Sequence, residues 1–243
     1  MNRLALALAL SLAIFNGRVS AQTEMALDEP HNDVADTESL QRGARYFVNY
    51  CLGCHSAQYV RYSRVAEDLG IGEEQLVESL MFTGERPFDA MTIAMRPEDA
   101  ERWFGVAPPD ISLLARSRGA DYIYSYLRSF YVSSDRPTGV DNTVLPGTAM
   151  PHVLWELQGT QRAVFDTDEN GIEAFDHFER VTEGQLSAQE FDGVVRDIVN
   201  FLDYISEPIQ LERQALGIRV IAFLIVFLVL AYLLKKEIWK DVE

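Results

Sequence analysis

Lysine is almost absent from this chain. It occurs only at Lys235, Lys236 and Lys240, and every earlier cation is an arginine. The whole sequence carries 21 Lys plus Arg against 37 Asp plus Glu, a formal net charge of −16. Binding to nucleic acid requires lysine and arginine at the phosphates, so this balance excludes a nucleic-acid-binding protein. Diffuse acidity instead favours solubility and attracts cationic partners.

Cysteine is equally scarce, with two residues three positions apart, which excludes a disulfide scaffold. The sequence before the C-terminus has no histidine cluster, no glycine-rich phosphate loop and no lysine nucleophile. Its hydrophobic content of 48% is ordinary and argues against general disorder. The length of 243 residues is enough for one or two domains with a full core.

The N-terminal residues 1–21 predict a secretory signal peptide. Arg3 supplies the positive start, residues 4–15 form a short apolar run, and residues 19–21 form a small-residue cleavage site. The alternative is an uncleaved membrane anchor, but the apolar run is too short to cross about 30 Å of hydrocarbon. Export of the following residues is therefore expected.

A second apolar segment, residues 215–234, predicts a transmembrane helix. Only Arg219 interrupts it, near one end where a long side chain can reach the interface. Twenty helical residues rise about 30 Å, which matches the hydrocarbon core. The alternative is a buried core helix. The basic residues that follow predict a cytoplasmic tail over residues 235–243, and hence a periplasmic domain over residues 22–214.

Hydrophobic periodicity predicts a mainly α domain. The expected helices cover residues 38–50, 73–82, 97–104, 110–117, 120–130 and 193–205, with Thr37 as the N-cap of the first. The polar, acidic residues 22–37 predict a loosely held arm. The connections between helices are long for a compact domain, and a large cofactor in the core would account for them.

The sequence Cys51-Leu52-Gly53-Cys54-His55 is the attachment pattern for c-type haem. Two thiols at this spacing can bond the haem vinyl groups, and the adjacent His55 can then reach the iron. A zinc site would need further ligands, and no second CxxC or HxxxH exists. A thioredoxin-like pair should lie near a βαβ pattern, and a disulfide across two residues would be strained.

Seven residues are candidates for the second axial ligand of the iron. They are Met81, Met91, Met95, Met150, His31, His152 and His177. Met150 is favoured because proline and glycine give residues 145–152 a fixed loop shape, and His152 is the next alternative. A thioether ligand would raise the reduction potential relative to two histidines.

The chain resembles the cytochrome c1 family, the haem subunits of the cytochrome bc1 complex. The resemblance covers nearly the whole mature sequence. It includes the haem motif at Cys51, Cys54 and His55, the segments at residues 107–112, 116–122, 136–139 and 146–151, and the single anchor ending at Lys235 and Lys236. The order of these segments along one chain is more specific than any one of them.

This resemblance implies a class I c-type cytochrome core with inserted loops and one C-terminal transmembrane helix. It implies Met150 as the distal ligand of one haem c, Arg118 and Tyr122 near the haem propionates, and Pro108 and Pro109 lining the haem pocket. Arg118 could otherwise be a solvated helix-end cation. Arginine is well matched to carboxylate groups.

The resemblance also implies a function in respiratory electron transfer. The subunit would take an electron from a Rieske iron–sulfur protein and give it to a soluble c-type cytochrome, which an acidic domain could steer. Cytochrome b, a lipid bilayer and a dimeric complex in the bacterial inner membrane are implied as well. The alternatives are a membrane-anchored shuttle cytochrome without cytochrome b and a haem enzyme such as a peroxidase.

Residues 166–171 begin like a calcium-binding EF-hand loop. The twelfth position, however, is His177 instead of the bidentate glutamate that this geometry requires. A hairpin turn at Asn170-Gly171 is the favoured interpretation. His177 and His31 are expected at the surface.

Overall fold

The computed structural model describes residues 27–167 and 173–241. The signal peptide prediction at residues 1–21 and the turn at Asn170-Gly171 lie outside the described residues. The helices are α1 (Thr37–Tyr46), α2 (Tyr62–Leu69), α3 (Glu73–Ser79), α4 (Pro97–Phe104), α5 (Leu114–Arg118), α6 (Ala120–Arg128), α7 (Trp155–Gln158), α8 (Ala188–Ser206) and α9 (Gln210–Ile238). The strands are β1 (Ala57–Arg61), β2 (Ala90–Met91), β3 (Phe130–Val132), β4 (Val140–Asn142), β5 (Gly159–Thr167) and β6 (Glu173–Glu183).

Helices dominate, which confirms the mainly α prediction, and the strands form three antiparallel two-stranded sheets in the described part of the chain. The sheet β1–β2 joins the segments before α2 and α4, and β3–β4 follows α6. The hairpin β5–β6 pairs Gly159 with Glu183 at one end and Thr167 with Glu173 at the other. Its strands and helix α2 were missed from sequence.

The core forms where α1 packs against α8. Phe47 and Phe201 are fully buried there, with ring centroids 5.4 Å apart. The two backbones approach closely at Gly43, where an added Cβ would lie 2.1 Å from the carbonyl oxygen of Asp197. Helices α5 and α6 pack against α8 as well, so α8 is the central helix of the domain.

Several predicted helix ends were wrong, and local hydrogen bonds account for the differences. Asp36, not Thr37, caps α1, because its carboxylate accepts from the Ser39 amide at 3.0 Å. A capping box between Ser187 and Glu190 starts α8 five residues before the expected position. The helix expected over residues 110–117 starts only at Leu114, and those over 73–82 and 120–130 end at Ser79 and Arg128. The helix over residues 97–104 is confirmed.

The prediction of a loosely held arm is wrong for residues 27–36. Arg128 donates a hydrogen bond to Asp28 at 2.6 Å, and Arg196 donates one to the Pro30 carbonyl at 2.8 Å. Asn32 donates to Asp203 at 2.9 Å, and Pro30 is buried. Asp28, the Pro30 carbonyl and Asn32 therefore tie this segment to α6 and α8.

Among the described residues, one helix is long and apolar enough to cross a membrane. It is α9, which extends beyond the predicted residues 215–234 at both ends and has no buried residue. Glu207 lies just before it and accepts hydrogen bonds from Arg213 through both carboxylate oxygens. Arg116 of α5 reaches the same carboxylate at 3.1 Å, so this one side chain joins the domain to α9.

Candidate haem site

A π-helical turn, Phe47–Cys51, continues α1 and delivers the first cysteine to the site. Leu52 is buried behind this turn, with its amide bonded to the Phe47 carbonyl at 2.9 Å. The amides of Cys54 and His55 then both bond to the Cys51 carbonyl, at 3.0 and 2.9 Å. Both thiols and the imidazole are thus presented within one tight turn, and such π turns recur at functional sites.

The orientation of His55 is fixed by a hydrogen bond from its Nδ1 to the carbonyl oxygen of Pro109 at 2.8 Å. Because a carbonyl only accepts, Nδ1 carries the proton and Nε2 keeps its lone pair free for a metal. Burial lowers the pKa of His55, which keeps the ring neutral. The neutral ring is the form that binds iron.

The segment around Pro109 is held by its neighbours. The Asp110 carboxylate accepts from the amides of Gln58 and Ser112, both at 2.9 Å. The Ile111 amide donates to the Ser56 carbonyl at 2.9 Å. These contacts replace the first turn of the helix expected over residues 110–117, and they place the Pro109 carbonyl opposite His55.

All the residues that sequence reasoning assigned to the site line one cavity of about 480 Å³. They are Cys51, Cys54, His55, Pro108, Pro109, Arg118, Tyr122 and Met150. Most of the other lining side chains are apolar, among them Phe104, Val106, Ile111, Leu114, Ile123, Leu127, Leu145, Val153, Ile198 and Leu202. The size and the apolar lining suit a cofactor with a few polar contacts, and the thiol pair beside a neutral histidine fits haem c.

Met150 lines this cavity, whereas the other candidates for the distal ligand do not. His152 instead stacks on Phe130, with ring centroids 5.1 Å apart and planes 7° from parallel. Burial lowers the pKa of His152 to about 4, so its ring is neutral. Met81 and Met91 are buried in the hydrophobic core.

Arg118 and Tyr122 lie together at the cavity wall. The guanidinium carbon of Arg118 is 5.4 Å from the centre of the Tyr122 ring, a cation–π contact. Tyr122 in turn stacks on Tyr126, with centroids 6.2 Å apart. Arg118 is exposed, so it can offer a charge to an anionic group at the rim of the cavity.

Sequence reasoning missed three hydroxyl-bearing residues of the cavity wall, Tyr50, Tyr126 and Thr148, and the last two have hydroxyl oxygens 2.8 Å apart. Tyr126 is four residues after Tyr122 on α6, so helical spacing from the recognised residue was the available signal. Thr148 lies two residues before Met150 in the same loop.

The thiols do not fit the rival zinc and dithiol interpretations. Burial and the neighbouring Cys54 raise the pKa of the Cys51 thiol to about 12, and burial also raises the pKa of Cys54. Redox-active cysteines instead have a lowered pKa. Across residues 27–167 and 173–241, no group of three or more His, Cys, Asp or Glu is placed to hold a metal ion.

Comparison with known proteins gives matches over nearly the full chain. The model of the Cytochrome C1 family matches residues 29–242. Cytochrome c1 of Allochromatium vinosum is 51% identical over 219 residues, which cover 89% of this chain and 90% of the relative. A protein of Nitrosomonas europaea named ammonia monooxygenase gamma subunit is 44% identical over 238 residues, 98% and 97% of the two chains. Cytochrome b/c1 of Bradyrhizobium diazoefficiens is 26% identical over 254 residues, which cover 85% of this chain and 34% of the relative.

Proposed function

The chain belongs to the cytochrome c1 family, and from that premise we propose that it takes one electron from a Rieske iron–sulfur protein and passes it to a soluble c-type cytochrome. Members of this family are haem subunits of the bc1 complex; they transfer electrons and are not catalytic alone. The observation that carries the proposal is the cavity itself. The two thiols of the CxxCH motif, His55 and Met150 all line it.

The cofactor of the family is haem c. When bound, it supplies a one-electron couple between ferric and ferrous iron. In our proposal Cys51 and Cys54 each form a thioether to it, which ties the porphyrin edge to the turn that follows α1. A thioether sulfur carries no charge, so it needs no polar partner in this mostly apolar cavity.

His55 and Met150 are the proposed axial ligands. His55 offers Nε2 because its Nδ1 proton is held by the Pro109 carbonyl at 2.8 Å. A hydrogen bond of this kind orients a metal-bound histidine and raises its basicity. Met150 offers a thioether, which favours the reduced metal and so raises the potential.

The remaining lining residues have supporting roles in the proposal. Pro108 and Pro109 give the cavity a rigid apolar wall, because proline fixes its backbone angle. Arg118 and Tyr122 are proposed to face the haem propionates, where a guanidinium can pair with a carboxylate. The apolar side chains exclude water from the cofactor, which tunes its potential.

Proteins of this family are membrane-anchored, and α9 is the candidate anchor. We infer that residues 1–21 direct export, that residues 22–214 lie in the periplasm, and that residues 235–243 stay in the cytoplasm of a bacterial cell. Cytochrome b and a dimeric complex complete the proposed assembly. The name of the relative cytochrome b/c1 supports cytochrome b as a partner.

Purification from membranes in mild detergent tests this function. We expect the chain to copurify with cytochrome b and a Rieske protein, and its haem to stay on the polypeptide after extraction with acid acetone. Isolation as a lone haem protein would support the shuttle cytochrome instead. Ready binding of carbon monoxide by the native protein would support a haem enzyme, because such an enzyme needs an open position on the iron.

A further inference from the structure

We propose that three side chains outside the cavity, Arg136, Asp141 and Asn142, form a clamp that holds residues 143–150 and thereby positions Met150. We call these three residues the loop clamp and residues 143–150 the ligand loop. The clamp rests on the proposed function, because it matters only if Met150 binds the iron. Its members are positioning residues, since none of them lines the cavity.

The loop clamp holds Gly147 from both sides. Nη2 of Arg136 donates to the Gly147 carbonyl at 2.5 Å and to the Thr148 carbonyl at 3.3 Å. The Asp141 carboxylate accepts from the Gly147 amide at 2.7 Å. The amide and the carbonyl of Gly147, three positions before Met150, are therefore both hydrogen-bonded to charged side chains. Hydrogen bonds with a charged partner are the stronger kind.

The clamp also requires glycine at position 147. The backbone φ of Gly147 is +82°, a conformation that L side chains rarely adopt. Arg136 lies close to Gly147, with Nη1 and Nη2 of its guanidinium group each 3.9 Å from where a Cβ would be. Arg136 and Asp141 are themselves of opposite charge and 3.9 Å apart, so they stabilise each other in this arrangement.

Asn142 ties the start of the ligand loop to the cavity wall. It is fully buried, and its Oδ1 accepts from the amides of Val144 and Leu145 at 2.9 and 3.1 Å. Its Nδ2 donates to the carbonyl of Tyr126, a lining residue of α6, at 2.8 Å. The loop is thus anchored to the same helix that carries Tyr122.

The sheet β3–β4 positions the three residues of the loop clamp. Val132 pairs with Val140 and Phe130 with Asn142, and the turn between the strands contains Arg136. Strand β3 follows α6 directly, so the clamp is built on the helix that forms the cavity wall. A methionine side chain is flexible and its sulfur is a weak acceptor, so its own contacts would hold it poorly. Fixing the backbone that carries it removes much of that freedom.

Competition with imidazole on the ferric, membrane-extracted holoprotein tests the clamp. An added imidazole binds the iron only when Met150 leaves it. Arg136→Gln and Asp141→Ala should each lower the imidazole dissociation constant by about 10- to 100-fold, the range found when groups that orient metal ligands are removed. Arg162→Gln on the hairpin is the matched control, since within the described residues this arginine pairs with Glu179 alone, and it should leave the constant unchanged.

A double variant separates positioning from general loosening. In a Met150→Leu background no methionine remains to be held, so adding Arg136→Gln should not change the imidazole constant further. A further fall in that background would overturn the proposal. So would an unchanged constant in both single clamp variants.

Amide hydrogen exchange on the wild-type holoprotein is a second measurement that needs no variant. The Gly147 amide, which donates to Asp141, should exchange slowly, and fast exchange contradicts the clamp. The proposed ligation by Met150 fails separately: wild type would then bind imidazole as readily as Met150→Leu, and failure of the proposed function would show instead as a chain that does not copurify with cytochrome b. If only the clamp fails, wild type and Met150→Leu will still differ in their imidazole dissociation constants, but Arg136→Gln will have the same constant as wild type.

Discussion

At the scale of the residue, one hydrogen bond decides what His55 can do. The Pro109 carbonyl takes the Nδ1 proton at 2.8 Å, so the lone pair is left on Nε2. The carbonyl is in place because the Asp110 carboxylate accepts hydrogen bonds from the amide of Gln58 on β1 and from the amide of Ser112. The conformation of residues 109–112 therefore selects the histidine tautomer that can bind iron.

Replacing Met150 by leucine should lower the reduction potential of the haem. Leucine has about the same volume but no sulfur to bind the iron, so the ferrous form loses its preferred partner. The expected fall is on the order of 0.1 V, within the range of about 0.8 V that axial ligands span. A redox titration of the purified protein measures it.

His152→Gln is the matched control for this substitution, because His152 was the alternative ligand and stacks on Phe130 outside the cavity. It should keep the absorption band that reports a sulfur ligand on ferric haem. Absence of that band in wild type, with an unchanged potential in Met150→Leu and a changed potential in His152→Gln, would reverse the assignment of the ligand.

Sequence alone selected residues that line the cavity, but it did not show which way their side chains point. The CxxCH spacing identified Cys51, Cys54 and His55, because the attachment chemistry dictates that spacing. The loop around residue 150 was recognised by its proline and glycine. The choice between Met150 and His152 depends on which side chain turns to the cavity, and local sequence does not encode that direction. The packing of His152 against Phe130 sets that direction.

At the scale of the element, the close crossing of α1 and α8 depends on a glycine, which has no side chain to keep the helices apart. Gly43 lets the helices approach until its Cα lies against the Asp197 backbone. Close contact also brings Ser39 and Arg42 to the buried Asp197 carboxylate, at 2.7 Å for both. The helix pair is thus held by apolar packing and by a charge that is fully hydrogen-bonded.

Gly43→Ala should destabilise the domain by about 3 kcal/mol, at the upper end of the usual cost of overpacking a core. The added Cβ would lie 2.1 Å from the Asp197 carbonyl oxygen and 2.7 Å from the Phe201 Cβ, so the helices must separate. Thermal unfolding followed by circular dichroism should show a lower Tm.

Gly193→Ala on α8 is the control for this substitution, since nothing lies within 4 Å of the added atom. It should stabilise the domain by about 0.5–1 kcal/mol because alanine favours the helix. Equal effects of the two substitutions would contradict a close crossing at Gly43.

Glu207 is the junction between the domain and α9. The hydrogen bond from Arg213 lowers the pKa of the Glu207 carboxyl below its ordinary value of 4.5. Its contribution to stability is therefore fully present above pH 4.5 and is lost as the pH falls through the depressed pKa. At neutral pH the carboxylate binds Arg116 and Arg213 together.

Glu207→Gln should loosen this junction at neutral pH. The neutral amide cannot pair with two guanidinium groups, so the start of α9 opens more often and trypsin should cut after Arg213 severalfold faster. Glu237→Gln is the control, because Glu237 is paired only with Lys240 near the far end of α9. Equal cleavage rates in Glu207→Gln and wild type would show that the carboxylate does not hold the junction.

Elements were predictable from sequence where local signals determine them. The helix over residues 97–104 starts at a proline and ends at a glycine with φ +80°, and both ends were expected. The segment 27–36 was not predictable, because Asp28 and Asn32 find their partners on α6 and α8 more than 90 residues away. A hairpin turn was expected at Asn170-Gly171, but the strands β5 and β6 on either side of it were missed because they lack a clean polar–apolar alternation.

At the scale of the whole molecule, the domain and the anchor are nearly independent. No residue of α9 is buried, so the core of the domain gains nothing from it. Glu207 links it to α5 through Arg116, and the apolar side chains of α9 are exposed along its length. This separation suits a subunit that holds its cofactor outside the bilayer.

A variant that ends at Ile209 should therefore be a water-soluble haem protein. Its visible spectrum should match that of the full chain, since no residue of the cavity lies beyond Leu202. Ultracentrifugation of a detergent-free periplasmic extract should leave it in the supernatant. A variant that pellets with membranes, or that loses its sulfur-ligand band, would contradict this independence.

The packing of α1 on α8 also fixes an order of assembly. If residues 1–21 direct export as proposed, Cys51 and Cys54 cross the membrane before residues 188–206. Until those residues follow, α1 lacks its main packing partner, and the thiols of the proposed haem site stay accessible. Attachment of the proposed haem can then precede the closing of α1 on α8.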